Sequence, residues 1–273
     1  MEKCTNEYYI SNGEIFKANN FEKISELEGI TLYEVIRVIN GIPLFIEEHL
    51  ERFGNTCRLT NVEIKYSKEL LKEQLMKLIN INSVQDGNVK VIFNKNLEDR
   101  LSMYFIEHSY PSEAMYKNGV DTILYFGERT NPNAKVINND FRNNVNLKIK
   151  EADVYEAILV DDNKNITEGS RSNIFMIKGD KIYTAPIKTV LPGITRDRIM
   201  KLLNKIKLNT IEQEINYKDI FEMDAVFITG TSPKVLPICK IDGVNIPSTS
   251  NEILKTIINS YNLLIENYVE SSL

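Results

Sequence analysis

Apolar and polar positions alternate in short extended runs at the start of the chain. Tyr8-Tyr9-Ile10 and Glu14-Ile15-Phe16 flank Asn12-Gly13, and the run 31–39 closes at Asn40-Gly41. An Asn-Gly pair between apolar runs is a strong hairpin signal, because both turn residues must reach positive φ, so the spacing predicts strands joined by tight turns. Then the period changes. Leu50, Phe53, Cys57 and Arg58 are spaced for a helix over 46–59, and Ser67 opens a second helix, to Ile81, with Leu70, Leu71, Leu75, Leu78 and Ile79 on one face. Residues 89–93, 101–106 and 120–126 return to strand composition and are expected to complete a small sheet, with a short helix over 111–118 before Gly119.

Residues 128–134 are polar and carry Pro132, which reads as a linker between lobes 1–127 and 135–273. The second lobe is expected to hold a helix over 141–152, a strand over 155–161 and a hairpin of 173–178 with 181–185 across Gly179-Asp180. After Leu191-Pro192-Gly193 come an amphipathic helix over 194–207 and a strand over 225–229. The closing helix, 251–268, packs Leu254, Ile257, Ile258, Tyr261 and Leu264. No internal repeat is visible.

Composition changes this picture little. The 273 residues are 42% hydrophobic and 26% charged, ordinary globular usage with room for two modest domains. A net charge of -5, without a dense lysine-arginine cluster, argues against nucleic acid as a partner. Cys4, Cys57 and Cys239 are far apart and outside any CxxC pairing, so they read as reduced thiols, and with only His49 and His108 present no metal site is expected. The first ten residues lack the apolar core of a signal peptide, and no run approaches the ~20 apolar residues that span a bilayer. The reading is a soluble, cytoplasmic protein.

The stretch 131–175 carries the chemistry. It sets Lys135 and Glu168-Gly169 on either side of the expected helix and buried strand. A lysine can form a Schiff base with an aldehyde cofactor, and a carboxylate against a pyridine nitrogen keeps that nitrogen protonated. Lys135 with Asn138, then Tyr155-Glu156-Ala157-Ile158-Leu159-Val160-Asp161, Glu168-Gly169 and Asn173-Ile174-Phe175 resemble the core of the class IV, or fold type IV, pyridoxal-phosphate aminotransferases. That family includes branched-chain and D-amino acid aminotransferases and 4-amino-4-deoxychorismate lyase.

The resemblance implies an α+β fold of two lobes: a small N-terminal α/β sandwich and a larger C-terminal, β-barrel-like lobe with helices. It implies pyridoxal 5'-phosphate as cofactor and Lys135 as the catalytic lysine. Lys148 and Lys150 rival Lys135 by proximity alone. Leu191-Pro192-Gly193-Ile194-Thr195-Arg196 matches a family motif whose helix N-terminus holds phosphate through the amides of Ile194 and Thr195. Arg52, in Glu48-His49-Leu50-Glu51-Arg52-Phe53, matches the family's phosphate-reaching arginine, although its spacing alone favours a surface pair with Glu48. Gly230-Thr231-Ser232 resembles a turn in which the threonine hydroxyl binds phosphate and Ser232 faces the substrate carboxylate; Pro233 departs from the pattern because it has no N–H.

Tyr33 is the substrate-side candidate in the first lobe, where Thr31-Leu32-Tyr33-Glu34 replaces the family's common G-D-G turn. Asn139-Asp140 also depart from the aromatic or leucine that usually follows the asparagine. The expected activity is transamination between an amino acid and a 2-oxo acid by a homodimer. D-amino acid enzymes of the family carry an R-x-H trap, absent from residues 94–100, which favours an L-, branched-chain or apolar substrate. The alternatives are the lyase, a D-amino acid aminotransferase, and a protein that keeps the fold but only binds.

Overall fold

The Asn12-Gly13 and Asn40-Gly41 pairs make the turns their sequence demands. In the computed structural model, which describes residues 3–21, 28–96 and 99–272, Asn12 and Gly13 take φ of 48° and 88° and join β1 (Tyr8–Ser11) to β2 (Glu14–Lys17). Asn40 and Gly41, at 52° and 77°, join β3 (Ile30–Ile39) to β4 (Ile42–Pro43). With β5 (Gly87–Lys95) and β6 (Arg100–Ile106) they form a six-stranded antiparallel sheet in the order β2-β1-β6-β5-β3-β4. Leu97 and Glu98, in the loop expected to lack the R-x-H trap, lie outside the described residues.

Helices α1 (Ile46–Leu59) and α2 (Lys68–Ile81) bury Leu50, Phe53 and Cys57, and Leu71, Leu75 and Leu78, against strand residues such as Leu32, Val91 and Phe105. Ser67 caps α2 by accepting from the Leu70 amide at 3.2 Å. Leu70 itself, expected on the buried face, is exposed, because it falls one position off the 71-75-78 stripe. The opposite face of the sheet gathers Tyr9, Tyr33, Ile92 and Tyr104.

Two compact units divide the described chain: residues of Met1–Ser109, Ala134–Ile137 and Ile265–Leu273 form one, and Tyr110–Asn133 with Asn138–Leu264 form the other. The sequence expectation instead puts a linker at 128–134 between 1–127 and 135–273. One reason for the difference lies in β7 (Val120–Phe126). Expected to complete the first sheet, it pairs in parallel with β8 (Glu156–Val160) and with β14 (Lys234–Ile241), inside the second sheet. Parallel neighbours need a crossover, and α4 (Asn139–Ala152) lies in that connection, burying Val145 and Ile149 against Ala157 and Leu159.

The second unit begins with α3 (Glu113–Asn118) and adds β9 (Ile166–Gly169), β10 (Asn173–Lys178), β11 (Lys181–Thr184), β12 (Asn209–Glu212), β13 (Ala225–Gly230) and β15 (Val244–Asn245). The strand order is β12-β11-β10-β13-β14-β7-β8-β9, with β15 on β14. The sheet curls, so that edge strand β9 returns beside β10. Its core gathers Ile158, Ile174, Met176, Val226, Ile228 and Leu236. Helix α5 (Ile194–Lys205) lies against β12 and β13, and α6 (Glu252–Glu270) buries Leu254, Ile257, Tyr261, Ile265 and Val269.

Phe53 is fully buried on α1, the helix that also carries Arg52. Phe53→Ala should cost about 3–5 kcal/mol in urea denaturation at unchanged slope, the usual loss for an aromatic core deletion.

Candidate active site

The candidate residues fall into two groups, one in each unit. In the first unit, Lys135 lies in a short extended segment beside β3: Val136 bridges Leu32, the Tyr33 amide donates to Lys135 O at 3.1 Å, and Ile137 N donates to Thr31 O at 2.9 Å. The Lys135 amide in turn donates to Thr56 Oγ1 at 3.3 Å. Its backbone is therefore fixed on both sides, and its side-chain nitrogen sits 4.6 Å from the Tyr33 ring centroid. Lys90, buried on β5, lies 5.2 Å from the same ring. The rivals Lys148 and Lys150 are exposed on α4.

One position past Tyr33, strand alternation turns Glu34 toward α1. There the Arg52 guanidinium grips its carboxylate bidentately, Nε to Oε1 at 2.8 Å and Nη2 to Oε2 at 2.7 Å. His49 Nδ1 lies 3.0 Å from Oε2. All three side chains are buried. Burial pushes the Glu34 carboxyl up, but the Arg52 charge and its hydrogen bonds, with His49, hold it far below the usual range. Burial lowers the His49 pKa against the pull of Glu34, and the charges of Arg52 and Lys135 push the same way as burial. An ionised Glu34 only accepts, so Nδ1 of the neutral imidazole carries the donated proton. Arg52 is thus a buried arginine rather than the surface residue its spacing alone favours.

In the second unit, β9 carries Glu168 into a buried position. Arg129 Nε lies 3.2 Å from its Oε1; Oε2 accepts from the Leu191 amide at 3.1 Å and from Asn173 Nδ2 at 3.4 Å. Arg129 also donates to Ser170 O at 2.9 Å.

Gly193 caps α5 without a side chain, and no side-chain cap bond forms. A Cβ there would collide with Asn173 Oδ1, so any other residue would displace the Asn173 side chain. The first-turn amides of Ile194 and Thr195, both buried residues, lack intrahelical acceptors by helix geometry and sit at the positive end of the dipole. Arg196, in the same turn, instead donates to Ala185 O at 3.0 Å and Glu212 Oε2 at 2.9 Å. Thr231-Ser232-Pro233 form the turn between β13 and β14, closed by the Gly230–Lys234 pair, with Tyr116 OH donating to Pro233 O at 3.0 Å. Just before it, Thr229 Oγ1 is buried with no hydrogen-bond partner. A helix N-terminus in need of acceptors, a threonine-serine turn and a buried carboxylate fit the phosphate and the pyridine nitrogen of pyridoxal phosphate.

Residues 31–241 match the family described as amino-transferase class IV. The chain belongs to that family. It is 32% identical over 232 residues to a D-alanine aminotransferase of Bacillus licheniformis, covering 81% of this chain and 82% of that one. Two solved structures share its fold. The branched-chain amino acid aminotransferase of Escherichia coli superposes with a TM-score of 0.88 at 21% identity and covers 96% of this chain and 95% of that one. A putative 4-amino-4-deoxychorismate lyase of Legionella pneumophila reaches a TM-score of 0.77 at 24% identity, covering 86% and 91%. The expected fold type IV architecture is the one observed.

Sequence reasoning assigns no role to three residues of this class IV aminotransferase. Arg129 reads as linker, Glu34 stands in its run without a role, and Glu156 enters only as part of the strand motif that carries the resemblance. The departures at Asn139-Asp140 sit exposed in the first turn of α4, which Asn138 caps by accepting from the Phe141 amide at 3.1 Å. Among the described residues no helix is long and apolar enough to cross a membrane, and no cluster of three His, Cys, Asp or Glu side chains could hold a metal ion.

Glu34→Gln leaves the Arg52 guanidinium buried against a neutral amide and should cost about 3–5 kcal/mol at neutral pH in urea denaturation. Because the folded-state pKa of Glu34 is depressed, its contribution is complete above the unfolded value and lost as pH falls through the folded one. The gap between wild type and variant should therefore persist at about pH 5 and close only in stronger acid.

Proposed function

We propose that the chain is a pyridoxal-phosphate-dependent transaminase that moves an amino group from an amino acid to a 2-oxo acid. The observation that carries this reading is Lys135, half-buried and fixed through its main chain to Thr56 and Tyr33, while its rivals Lys148 and Lys150 are exposed. When bound, the cofactor supplies an electron sink for the pair left on the substrate carbon as it loses its proton. Lys135 would hold the cofactor through its Nζ, and that Nζ, once displaced there by the substrate's amine, would be the group to carry the proton. Glu168, which faces Arg129 and the Leu191 amide, would hold the proton on the pyridine nitrogen. The amides of Ile194 and Thr195, the Thr231 hydroxyl and Arg52 bind the phosphate.

On the substrate side, Tyr33 and Ser232 meet the amino acid, and Lys90 beside Tyr33 adds positive charge suited to a carboxylate. The substrate we favour is an L-amino acid with a branched or apolar side chain, handled by a cytoplasmic homodimer. The Bacillus licheniformis relative supports a second reading, a D-amino acid donor.

Absorbance titration with pyridoxal phosphate tests the proposal. Wild type should gain a visible band that Lys135→Ala lacks, and L-leucine should bleach it. Bleaching by D-alanine alone moves the D-amino acid reading ahead. A band that neither amino acid touches, with pyruvate released from aminodeoxychorismate, makes the protein a lyase; no band at all sinks the assignment of the site.

A further inference from the structure

Glu156 opens β8, a strand buried at every position, yet it is a carboxylate. The chain that follows Glu168 wraps around it. Glu156 Oε1 accepts from the Arg171 amide at 2.5 Å and from Ser170 Oγ at 3.2 Å, and Oε2 accepts from Ser172 Oγ at 3.1 Å. Three successive residues thus donate to one side chain, and they begin two positions after Glu168. The same turn is tied from elsewhere too: Ser170 N donates to Ala157 O at 2.9 Å, and Ser170 O accepts from Arg129, the partner of Glu168.

Gly169 shows how tightly the turn is drawn in. A Cβ at that position would collide with Ser172 Oγ and stand only 2.8 Å from Glu156 Oε1, an approach no side chain tolerates. The β8–β9 ladder does not fix Glu168 unaided, because its register shifts between the Ile158–Gly169 and Val160–Ile166 pairs, the stretch of β9 that holds Glu168. We infer that Glu156 is a positioning residue for Glu168: by binding the 170–172 turn it sets where the Glu168 carboxylate stands, and through it how tightly the cofactor's pyridine nitrogen is held. Burial pushes the Glu156 carboxyl up, and the Arg171 amide and charge with the two serine hydroxyls work against that. The mechanism otherwise leaves this buried acid without a task.

The inference rests on the reading that Glu168 meets the pyridine nitrogen, so its test separates the two. Pyridoxal phosphate is titrated into cofactor-free wild type, Glu156→Gln, Glu168→Gln and the double variant, and amide hydrogen exchange is followed at Leu191, whose N–H donates to Glu168. Glu156→Gln should weaken cofactor binding about ten-fold beside native Glu168 and less than about two-fold in the Glu168→Gln background, the signature of one residue acting through another. It should also speed exchange at Leu191 while leaving the Met176 amide in β10 unchanged. Equal losses in both backgrounds, or unchanged exchange at Leu191, overturn the inference. If Glu168→Gln binds the cofactor like wild type, the role of Glu168 fails instead, and exchange at Leu191 still decides whether Glu156 positions it. Should Glu156→Gln not fold, Ser172→Ala removes one donor and must move both readouts the same way, by a smaller factor.

Discussion

A carboxylate taken out of water must be met by donors, and three buried glutamates on strands impose that condition on this fold. The cost of an unmet buried charge exceeds anything a single apolar contact returns, so the groups around each acid are fixed by it. Glu34 is met by the fork of Arg52 and by His49, which ties β3 to α1. Glu168 is met by Arg129, Leu191 and Asn173, which ties β9 to the segments that precede α4 and α5 and to β10. Glu156 is met by the turn that follows Glu168.

These pairings join stability to chemistry. The helix face that answers Glu34 also offers Thr56 to the Lys135 amide, so the lysine is anchored by the packing that keeps a charge buried. A Cβ at Gly193 or Gly169 would displace neighbouring side chains, Asn173 in one case and Ser172 with Glu156 in the other. Asn173 both contacts Glu168 and fills the space beside the start of α5. One small group of polar contacts therefore fixes Glu168, Asn173 and the start of α5 together.

The local part of this is legible in the chain. Asn-Gly turns, the Ser67 cap and the Gly179-Asp180 hairpin follow from backbone conformation at single residues, and the structure has them. What depends on distant pairing is not. The alternation in β7 says strand but not which sheet, and its partners β8 and β14 are far along the chain. β14 contains Pro237, which reads as a strand breaker, and β9 and β12 are only four residues each. At the candidate site, Lys135, Glu168 and the Gly193 helix start stand out through a resemblance rather than through any property of lysine or glycine. Arg129 cannot stand out, since an arginine in a polar stretch is indistinguishable from a solvated one until its partner is seen. Glu34 lies in the row of Leu32 and Ile36, so alternation marks the position as core-facing, and no short-range signal names Arg52 as its partner.

The central claim is that Lys135 is the residue that bonds pyridoxal phosphate. Borohydride reduction of the cofactor-loaded protein, followed by peptide mass analysis, tests it directly. The account predicts the cofactor's mass on the peptide containing Lys135 and on no other lysine; the same mass on Lys90, Lys148 or Lys150, or an unmodified Lys135, would contradict it.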